Sequence, residues 1–215
     1  MANTSWDEEA IAQALHRSLN ADRVVHHFKD PLVEIMTPLL GGGDVPPLES
    51  MDVMMVLISI HINLLGYLYS GKDKTPNAVE FLRKYLGMVD PRYKEVGGLL
   101  YDLLRHGWIH RFVPKRLKLD NGMILDFRYS SDMDRGQHLK MVEIQGAKRL
   151  NISVPLLYDD LLAAIDLFTN DVRCNQDSSD VFKRAFEMRR KPEEENDLRK
   201  KKYDRDLDFI HGLLE

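Results

Sequence analysis

The segment Arg105-His106-Gly107-Trp108-Ile109-His110 holds the residue types in this chain that are best suited to chemistry. It follows a strongly apolar helical run, and it places an arginine five positions before a histidine. The Arg105 guanidinium is a permanent planar cation that can hold phosphate oxygens through two hydrogen bonds. The His110 imidazole exchanges protons near neutral pH. Together the two side chains suit cleavage of a phosphodiester bond without a metal ion.

The same residues also fit a purely structural role at the end of a helix. Cations near a helix C-terminus interact favourably with the exposed carbonyl groups and with the helix dipole. Trp108, Ile109 and Phe112 would then pack against the last turn, and His110 would be an ordinary half-buried histidine. Because Arg and His fall five positions apart by chance in many proteins, both interpretations stay open.

The composition is that of a globular protein with no general attraction for nucleic acid. Of the 215 residues, 44% are hydrophobic and 30% are charged, which is enough to bury the core of one domain. The formal net charge is −4, so any contact with RNA has to be local. The single cysteine, Cys174, excludes an internal disulfide and a multi-cysteine zinc site, and it suits a reducing cytosol. We therefore expect a cytoplasmic protein with no metal and no cofactor.

Residues 51–69 form a stretch apolar enough to be tested as a membrane span. Asp52, His61 and Asn63 within it would be costly in hydrocarbon, and no anchoring pattern of aromatic and basic residues flanks it. Residues 1–9 contain Asp7, Glu8 and Glu9 and no apolar core, so they do not resemble a secretory signal. We therefore expect a buried central helix and no membrane contact.

The N-terminal half predicts helices that are separated by short loops. Apolar residues recur every three or four positions, and Ser50, Thr75-Pro76 and Asp90-Pro91 are typical helix starts. Ile11, Leu15 and Leu19 form the expected core stripe of the first helix. The predicted helices span residues 7–19, 21–40 with breaks near Pro31 and Pro38, 50–70, 75–86 and 91–105.

After Pro114 the period changes to that of β-strands. Residues 116–119 and 123–129 flank Asn121-Gly122, a typical hairpin turn. Residues 139–144 and 150–154 predict two more strands, and Pro155 opens a further helix. The predicted fold is mainly α: a helical bundle with a small antiparallel β insertion at about residues 116–154. We expect one domain over residues 1–174 and a charged extension, helical or mobile, over 175–215.

An apolar helix that ends in Arg-polar-x-x-x-His resembles the signature of the HEPN superfamily. Members of that family are compact helical domains, often metal-independent endoribonucleases. The similarity covers roughly residues 24–114 and the helix after Pro155, so the β segment would be an insertion. The second motif residue is commonly Asn in the family, whereas it is His106 here.

The resemblance implies roles for three residues. Arg105 would hold the scissile phosphate and stabilise the charge that develops on it. His110 would act as general base or acid when a ribose 2′-OH attacks the adjacent phosphate, which leaves a 2′,3′-cyclic phosphate. His106 would shape the motif or touch the substrate. The family usually forms homodimers in which two motifs face each other, and it occurs in bacterial toxin–antitoxin and phage-defence systems, so a cognate antitoxin or regulatory protein is an expected partner.

One departure from the family limits what the resemblance implies. A subgroup carries a tyrosine two residues after the motif histidine, which a partner nucleotidyltransferase modifies. Phe112 occupies that position here and has no hydroxyl, which argues against this regulation.

The residues around the motif add a local basic stretch that suits single-stranded RNA. Arg111, Lys115, Arg116 and Lys118 follow the motif, and the aromatic residues Trp108 and Phe112 are interleaved with this basic stretch. Bases stack on aromatic rings while phosphates meet cations. A charged hairpin edge that prevents strand pairing explains the same residues equally well.

Other candidate sites have weaker support. His26-His27 lacks a further ligand at helical spacing, so a surface pair is expected and not a metal site. His61 and Asn63 are expected to make buried polar contacts, and they would support the motif if their helix packs beside it. Asp159-Asp160 is expected as an exposed helix start.

The alternative function is a non-catalytic module that binds a protein or a nucleic acid with an idle Arg-x4-His motif. The net acidity and the long polar C-terminal segment favour it.

Overall fold

In a computed structural model of the protein, the described residues are 8–40, 48–71, 75–105, 116–118, 120, 122–144 and 147–190. Helices make up most of them, and four short strands lie between the sixth and seventh helix. The helices are α1 (Glu8–Val24), α2 (Asp30–Leu39), α3 (Leu48–Ser70), α4 (Thr75–Phe81), α5 (Gly87–Val89), α6 (Arg92–Leu103), α7 (Val154–Cys174) and α8 (Gln176–Arg190). The strands are β1 (Leu117–Lys118), β2 (Ile124–Ser130), β3 (Lys140–Ile144) and β4 (Ala147–Ser153). The predicted mainly α fold with a small β insertion is confirmed.

The chain divides into two units, Met1–Ala185 and Phe186–Glu215. The first unit contains the helices up to α7, the sheet and most of α8. In the second unit, residues 186–190 are described, and they form the end of α8.

Local signals mark the starts of three helices. The starts of α4 and α6 are as the sequence predicts, whereas α7 begins at Val154, one residue before the predicted Pro155. Helix α4 begins at Thr75, with Pro76 behind it. At the start of α6, the backbone N–H of Arg92 donates to Asp90 Oδ1 at 3.0 Å. At the start of α7, the Ser153 hydroxyl accepts the N–H of Leu156 at 3.3 Å, which satisfies one of the free donors of the first turn. The predicted start at Ser50 is wrong by two residues, because α3 begins at Leu48.

The predicted breaks near Pro31 and Pro38 are also wrong, since helical structure continues from Glu8 to Leu39. A wider π-helical turn, Val25–Lys29, comes just before Pro31, and the Asp30 N–H donates to the carbonyl oxygen of Val25 across five residues. This places Pro31 in the first turn of α2, where its missing N–H costs little.

One side of helix α3 is buried in the helical bundle. Its other side also carries apolar residues, and these are exposed. Residues such as Met54, Ile58, Ile62 and Leu65 are fully buried. Gly66 allows close contact with α4, because a Cβ there would lie 2.5 Å from the Ala78 Cα. By length and composition alone, residues 50–70 could also cross a membrane, but half of that apolar window is buried inside the protein.

Aromatic rings fill the space between the helices in the core. Phe81, Tyr85 and Phe168 lie with ring centroids 5.1–5.8 Å apart, mostly edge to face. Phe182 of α8 continues the cluster, 6.3 Å from Phe168. The Tyr85 hydroxyl donates to Asp171 at 2.5 Å, so its polar end is satisfied at the edge of the core.

The expected core stripe of the first helix is wrong. Ile11, Leu15 and Leu19 are 40%, 62% and 59% exposed. The buried residues of α1 are Asn20, Ala21 and Val24, which belong to its second half. Because one helical period fits both sets, spacing alone does not decide which face meets the bundle.

The sheet is mixed, which corrects the expectation of an antiparallel one. Its order is β1-β2-β4-β3. The predicted hairpin is present, with Leu117 paired to Leu125, and β3 pairs with β4 antiparallel. However, β2 and β4 pair in parallel as the two central strands, with Phe127 opposite Leu150. Hairpin signals act between neighbours in sequence, so they carry no information about this longer-range pairing.

Candidate functional site

Arg105 is the residue of the predicted motif that the structure describes. It is half-buried, and together with Leu104 it forms π-helical structure directly after α6. The other predicted site residues lie outside the described residues: His106, Trp108, His110, Arg111 and Lys115. The predicted pairing of Arg105 with His110 therefore stays a prediction.

The Arg105 guanidinium contacts the buried side chain of Tyr101, which lies one helical turn earlier. Arg105 Nη1 donates to the Tyr101 hydroxyl at 3.3 Å, and the Arg105 guanidinium carbon lies 5.9 Å from the centre of the Tyr101 ring. Tyr101 is only 2% exposed, and its hydroxyl in turn donates to Asn63 Oδ1 on α3 at 2.7 Å. The chain Asn63–Tyr101–Arg105 restricts the orientations of a half-buried cation.

The sequence analysis expected Asn63 and His61 on α3 to support the motif if that helix lay beside it. Asn63 does contact the motif helix, through the Tyr101 hydroxyl. His61 Nδ1 carries a proton and donates it to the Leu57 carbonyl oxygen, 2.8 Å away. Burial lowers the pKa of His61, and the backbone hydrogen bond opposes this only in part. His61 therefore makes the expected polar contact, as a neutral and half-buried histidine near neutral pH.

A second polar cluster lies at the other end of α6, and it is buried. The Tyr93 hydroxyl donates to Asp160 Oδ2 on α7 at 2.8 Å, and it lies 2.8 Å from His138 Nε2. Arg135 Nη1 contacts both oxygens of Asp160 at 2.6 Å. The Ser153 N–H donates to His138 Nδ1 at 3.0 Å. We call Tyr93, Arg135, His138 and Asp160 the buried cluster.

The hydrogen bonds fix the protons of the buried cluster. His138 Nδ1 accepts the Ser153 N–H, so the proton of the neutral ring is on Nε2 and points at the Tyr93 oxygen. The Tyr93 hydroxyl is then free to donate to Asp160. Burial, with the nearby guanidinium groups of Arg135 and Arg92, lowers the pKa of His138 to about 4. Burial and the Asp160 carboxylate raise the pKa of Tyr93.

The buried cluster is therefore structural: its His138, Asp160 and Tyr93 side chains are enclosed, and only Arg135 reaches solvent. The side chains of His138 and Asp160 are 0% and 2% exposed, and Tyr93 is fully buried. Its members come from α6, from the loop between β2 and β3, and from α7. Their contacts tie the β insertion to the helices.

Arg92 connects the buried cluster to the backbone of the loop between β2 and β3. It pairs with Asp90 through Nε and Nη2, and this hydrogen bonding lowers the pKa of Asp90. Its guanidinium also donates to the carbonyl oxygens of His138 and Arg135. Leu139, next to His138, has a φ of 58°, a left-handed conformation that favours glycine. The surrounding contacts hold this strained residue in place.

Sequence reasoning missed the buried cluster. The expectation of an exposed Asp159-Asp160 pair is wrong for Asp160, which is 1% exposed, although Asp159 is exposed. A signal was present, because Asp160 falls three residues after Leu157 and four before Ala164 on the buried face of α7. His138 and Arg135 lie in an irregular loop, where no periodicity predicts burial.

The remaining candidates behave as surface residues. His26 lies 4.0 Å from Asp30, and both side chains are mostly exposed, so His26-His27 fits the expected surface pair. Among the described residues, no group of three or more His, Cys, Asp or Glu side chains could hold a metal ion.

Comparisons with known proteins add no family to this geometry. No family model, no curated protein and no solved structure matches the chain.

Proposed function

We propose that the protein is a metal-independent endoribonuclease of the HEPN kind, with Arg105 and His110 as its catalytic residues. The observation that supports the proposal best is the chain Asn63–Tyr101–Arg105, which orients a cation at the predicted motif from a buried tyrosine. A guanidinium that is oriented before substrate arrives stabilises charge in the transition state with little reorganisation.

Arg105 lies at a wider turn that follows α6. Leu104 and Arg105 have π-helical structure, in which hydrogen bonds join residues five apart. Such π-helical turns are frequent at functional sites.

In the proposed reaction, a base takes the proton of a ribose 2′-OH, and the 2′-oxygen attacks the adjacent phosphorus. The bond from phosphorus to the 5′-oxygen breaks, and that oxygen takes a proton. The products are a 2′,3′-cyclic phosphate and a 5′-hydroxyl. His110 serves as base or acid, and Arg105 binds the phosphate oxygens. A homodimer with two facing motifs supplies the second proton carrier. His106, Trp108, Arg111 and Lys115 contact the RNA.

The cellular setting follows from the resemblance. We place the protein in the cytoplasm, as part of a bacterial toxin–antitoxin or phage-defence system with a cognate antitoxin or regulatory protein. No cofactor takes part in the proposed reaction.

A cleavage assay with EDTA present tests the proposal. Wild-type protein should cut single-stranded RNA and leave 2′,3′-cyclic phosphate ends. His110→Ala should slow cleavage by about 10²–10⁴-fold, because it removes proton transfer. His26→Ala is the matched control: it removes an exposed imidazole, and cleavage should not change. A wild-type protein that cuts no RNA, at any oligomeric state, would refute the proposal.

The binding-module alternative is favoured by one observation. Half-buried Arg105 already has polar and ring contacts with Tyr101, and these stabilise the end of a helix without any substrate. If that is its whole role, Arg105→Lys lowers the free energy of unfolding and leaves RNA binding unchanged.

A further inference from the structure

Five cations gather on one face of the β-sheet. Paired residues of neighbouring strands lie on the same face, and alternate residues of a strand share a face. The pairs Lys118–Ile124, Arg128–Asn151, Asn151–Lys140 and Asp126–Arg149 therefore belong to one side of the sheet. Arg116 joins it through its Nε, 3.1 Å from Asp126 Oδ2. The basic residues of this side are Arg116, Lys118, Arg128, Lys140 and Arg149.

The carboxylate of Asp126 on this side of the sheet already has partners within the protein. Asp126 is the acidic residue among the described strand positions of this face. Its Oδ2 pairs with Arg116, and its Oδ1 accepts the N–H of Phe127 at 2.8 Å. The other four cations, Lys118, Arg128, Lys140 and Arg149, have side chains with no ion pair to the described residues. We call these four residues the basic sheet face.

The opposite face of the same sheet is electrically balanced. There Lys148 lies opposite Glu143 on β4 and β3, and the neighbouring positions are apolar, with Leu125 and Leu150 buried and Met141 exposed. Since the whole chain has a net charge of −4, an excess of positive charge on one face of a small sheet is a local feature. It is not a consequence of composition.

Protection of sheet edges does not explain the basic sheet face. Charged residues on edge strands prevent pairing with other chains, which accounts for Lys118 on β1 and Lys140 on β3. Arg128 and Arg149 instead lie on the two central strands, where no edge is exposed. They are diagonal neighbours, so their charges repel and destabilise the sheet.

Arg149 shows most clearly that a partner is missing. It is half-buried, and its Nε is buried with no hydrogen-bond partner. A buried donor without a partner is energetically unfavourable. An anion on this face would satisfy Arg149 and would relieve its repulsion with Arg128.

We propose that the basic sheet face binds the phosphate backbone of single-stranded RNA; the choice of RNA among polyanions rests on the proposed function. Chain position supports this choice, because β1 begins at Leu117, seven residues after His110 in the sequence. No aromatic residue occupies the described strand positions of this face, so it offers no ring on which bases could stack. The recognition is therefore electrostatic and independent of sequence.

The test measures fluorescence anisotropy of a labelled 12-nucleotide uridine RNA with the His110→Ala protein, which does not cleave it. Arg128→Gln and Arg149→Gln should each raise Kd about tenfold, because each removes a phosphate contact. Lys148→Gln is the matched control, with the same charge change on the residue next to Arg149 but on the opposite face. It should leave Kd within about twofold of the parent.

Salt dependence gives a second readout. With four phosphate contacts, log Kd should change with log salt concentration with a slope of about 3, and each substitution should lower the slope by about 0.7. An adenosine RNA of the same length should bind equally well, as recognition through phosphates requires. Arg128 is exposed, so Arg128→Gln tests the face even if Arg149→Gln does not fold.

Three results would overturn the inference: an unchanged Kd in both arginine variants, an equal loss in Lys148→Gln, or competition by poly-glutamate as strong as by RNA at equal charge. Equal binding of a thymidine DNA would support a face that reads phosphate in either nucleic acid. Failure of the proposed function looks different, because binding would follow the predicted pattern while wild-type protein cuts no RNA. Failure of the inference alone would leave cleavage intact, with kcat/KM unchanged by Arg128→Gln.

Discussion

Helix α6 has a polar cluster at each end, and the two differ in exposure. At its start, Tyr93 belongs to a cluster in which the protons and acceptors of His138 and Asp160 are matched and enclosed. At its end, Tyr101 and Asn63 orient Arg105, which is only half-buried. The first cluster contains the residue types of an active site, but its His138 and Asp160 side chains are enclosed. The second holds a cation that is half-buried, at the motif to which we assign the chemistry as a proposal. Accessibility, and not residue type, separates a structural cluster from a candidate site.

The largest effect on the free energy of unfolding is expected in the buried cluster. Asp160→Ala removes the acceptor of Tyr93 and leaves Arg135 without its partner. Breaking a buried pair costs about 3–5 kcal/mol, and we expect about 3 kcal/mol because the Arg135 side chain is 46% exposed and can be solvated. Urea unfolding measures the change. The matched variant Asp159→Ala removes the exposed neighbouring carboxylate and should cost less than about 0.5 kcal/mol. Equal effects of the two changes would show that Asp160 does not lock the fold.

The next effect is a dependence of stability on pH. The folded protein holds the pKa of His138 at about 4, below its ordinary 6.5, because the ring is buried among Arg135 and Arg92. The unfolded chain therefore binds a proton first as the pH falls. The contribution of neutral His138 to the free energy of unfolding is complete above pH 6.5. It is lost as the pH falls towards 4, by at most about 1.4 kcal/mol per pH unit.

His138→Gln is the variant that isolates this dependence. In this variant the free energy of unfolding should fall much less between pH 6.5 and pH 4 than in wild type. His61, whose pKa is also lowered, accounts for the smaller decrease that remains. Thermal unfolding at a series of pH values measures both proteins. A wild type whose stability does not change across this window would contradict a buried neutral His138.

The smallest expected effect belongs to the positioning of Arg105. Tyr101→Phe keeps the ring and removes the hydroxyl between Asn63 and Arg105. We expect kcat to fall several-fold and the free energy of unfolding to drop by about 1 kcal/mol. A double-mutant cycle separates positioning from stability: in an Arg105→Lys background, Tyr101→Phe should no longer change kcat. Additive losses in kcat would mean that Tyr101 does not act through Arg105.

Local patterns predicted the elements of the fold better than their arrangement. Thr75-Pro76 and Asp90-Pro91 mark helix starts because the stabilising signal lies within the first residues of the helix, as the bond from Arg92 N–H to Asp90 shows. The change of period at Pro114 located the β insertion for the same local reason. In contrast, the parallel pairing of β2 with β4 joins residues more than twenty positions apart, and no turn signal encodes it.

The buried cluster shows the same limit for the site. Tyr93 lies 45 residues from His138 and 67 from Asp160, so only the folded chain brings them together. The stripe of α1 shows that a period identifies a helix without identifying its buried face, since Leu15 is 62% exposed. Arg105 was predicted from the sequence as a site residue, but its support by Tyr101 and Asn63 required the packing of α3 against α6.

The comparison of the two clusters is tested most directly by measuring single-turnover cleavage of single-stranded RNA, with EDTA present, by two histidine variants. His110→Ala should lose about 10²–10⁴-fold in rate, because it removes a proton carrier from the motif. His138→Gln, assayed at neutral pH and at a temperature where it is folded, should stay within about threefold of wild type, because a buried histidine does not meet the substrate. The opposite result, a cleaving His110→Ala protein and an inactive but folded His138→Gln protein, would contradict the assignment of the chemistry to the Arg105 end of α6.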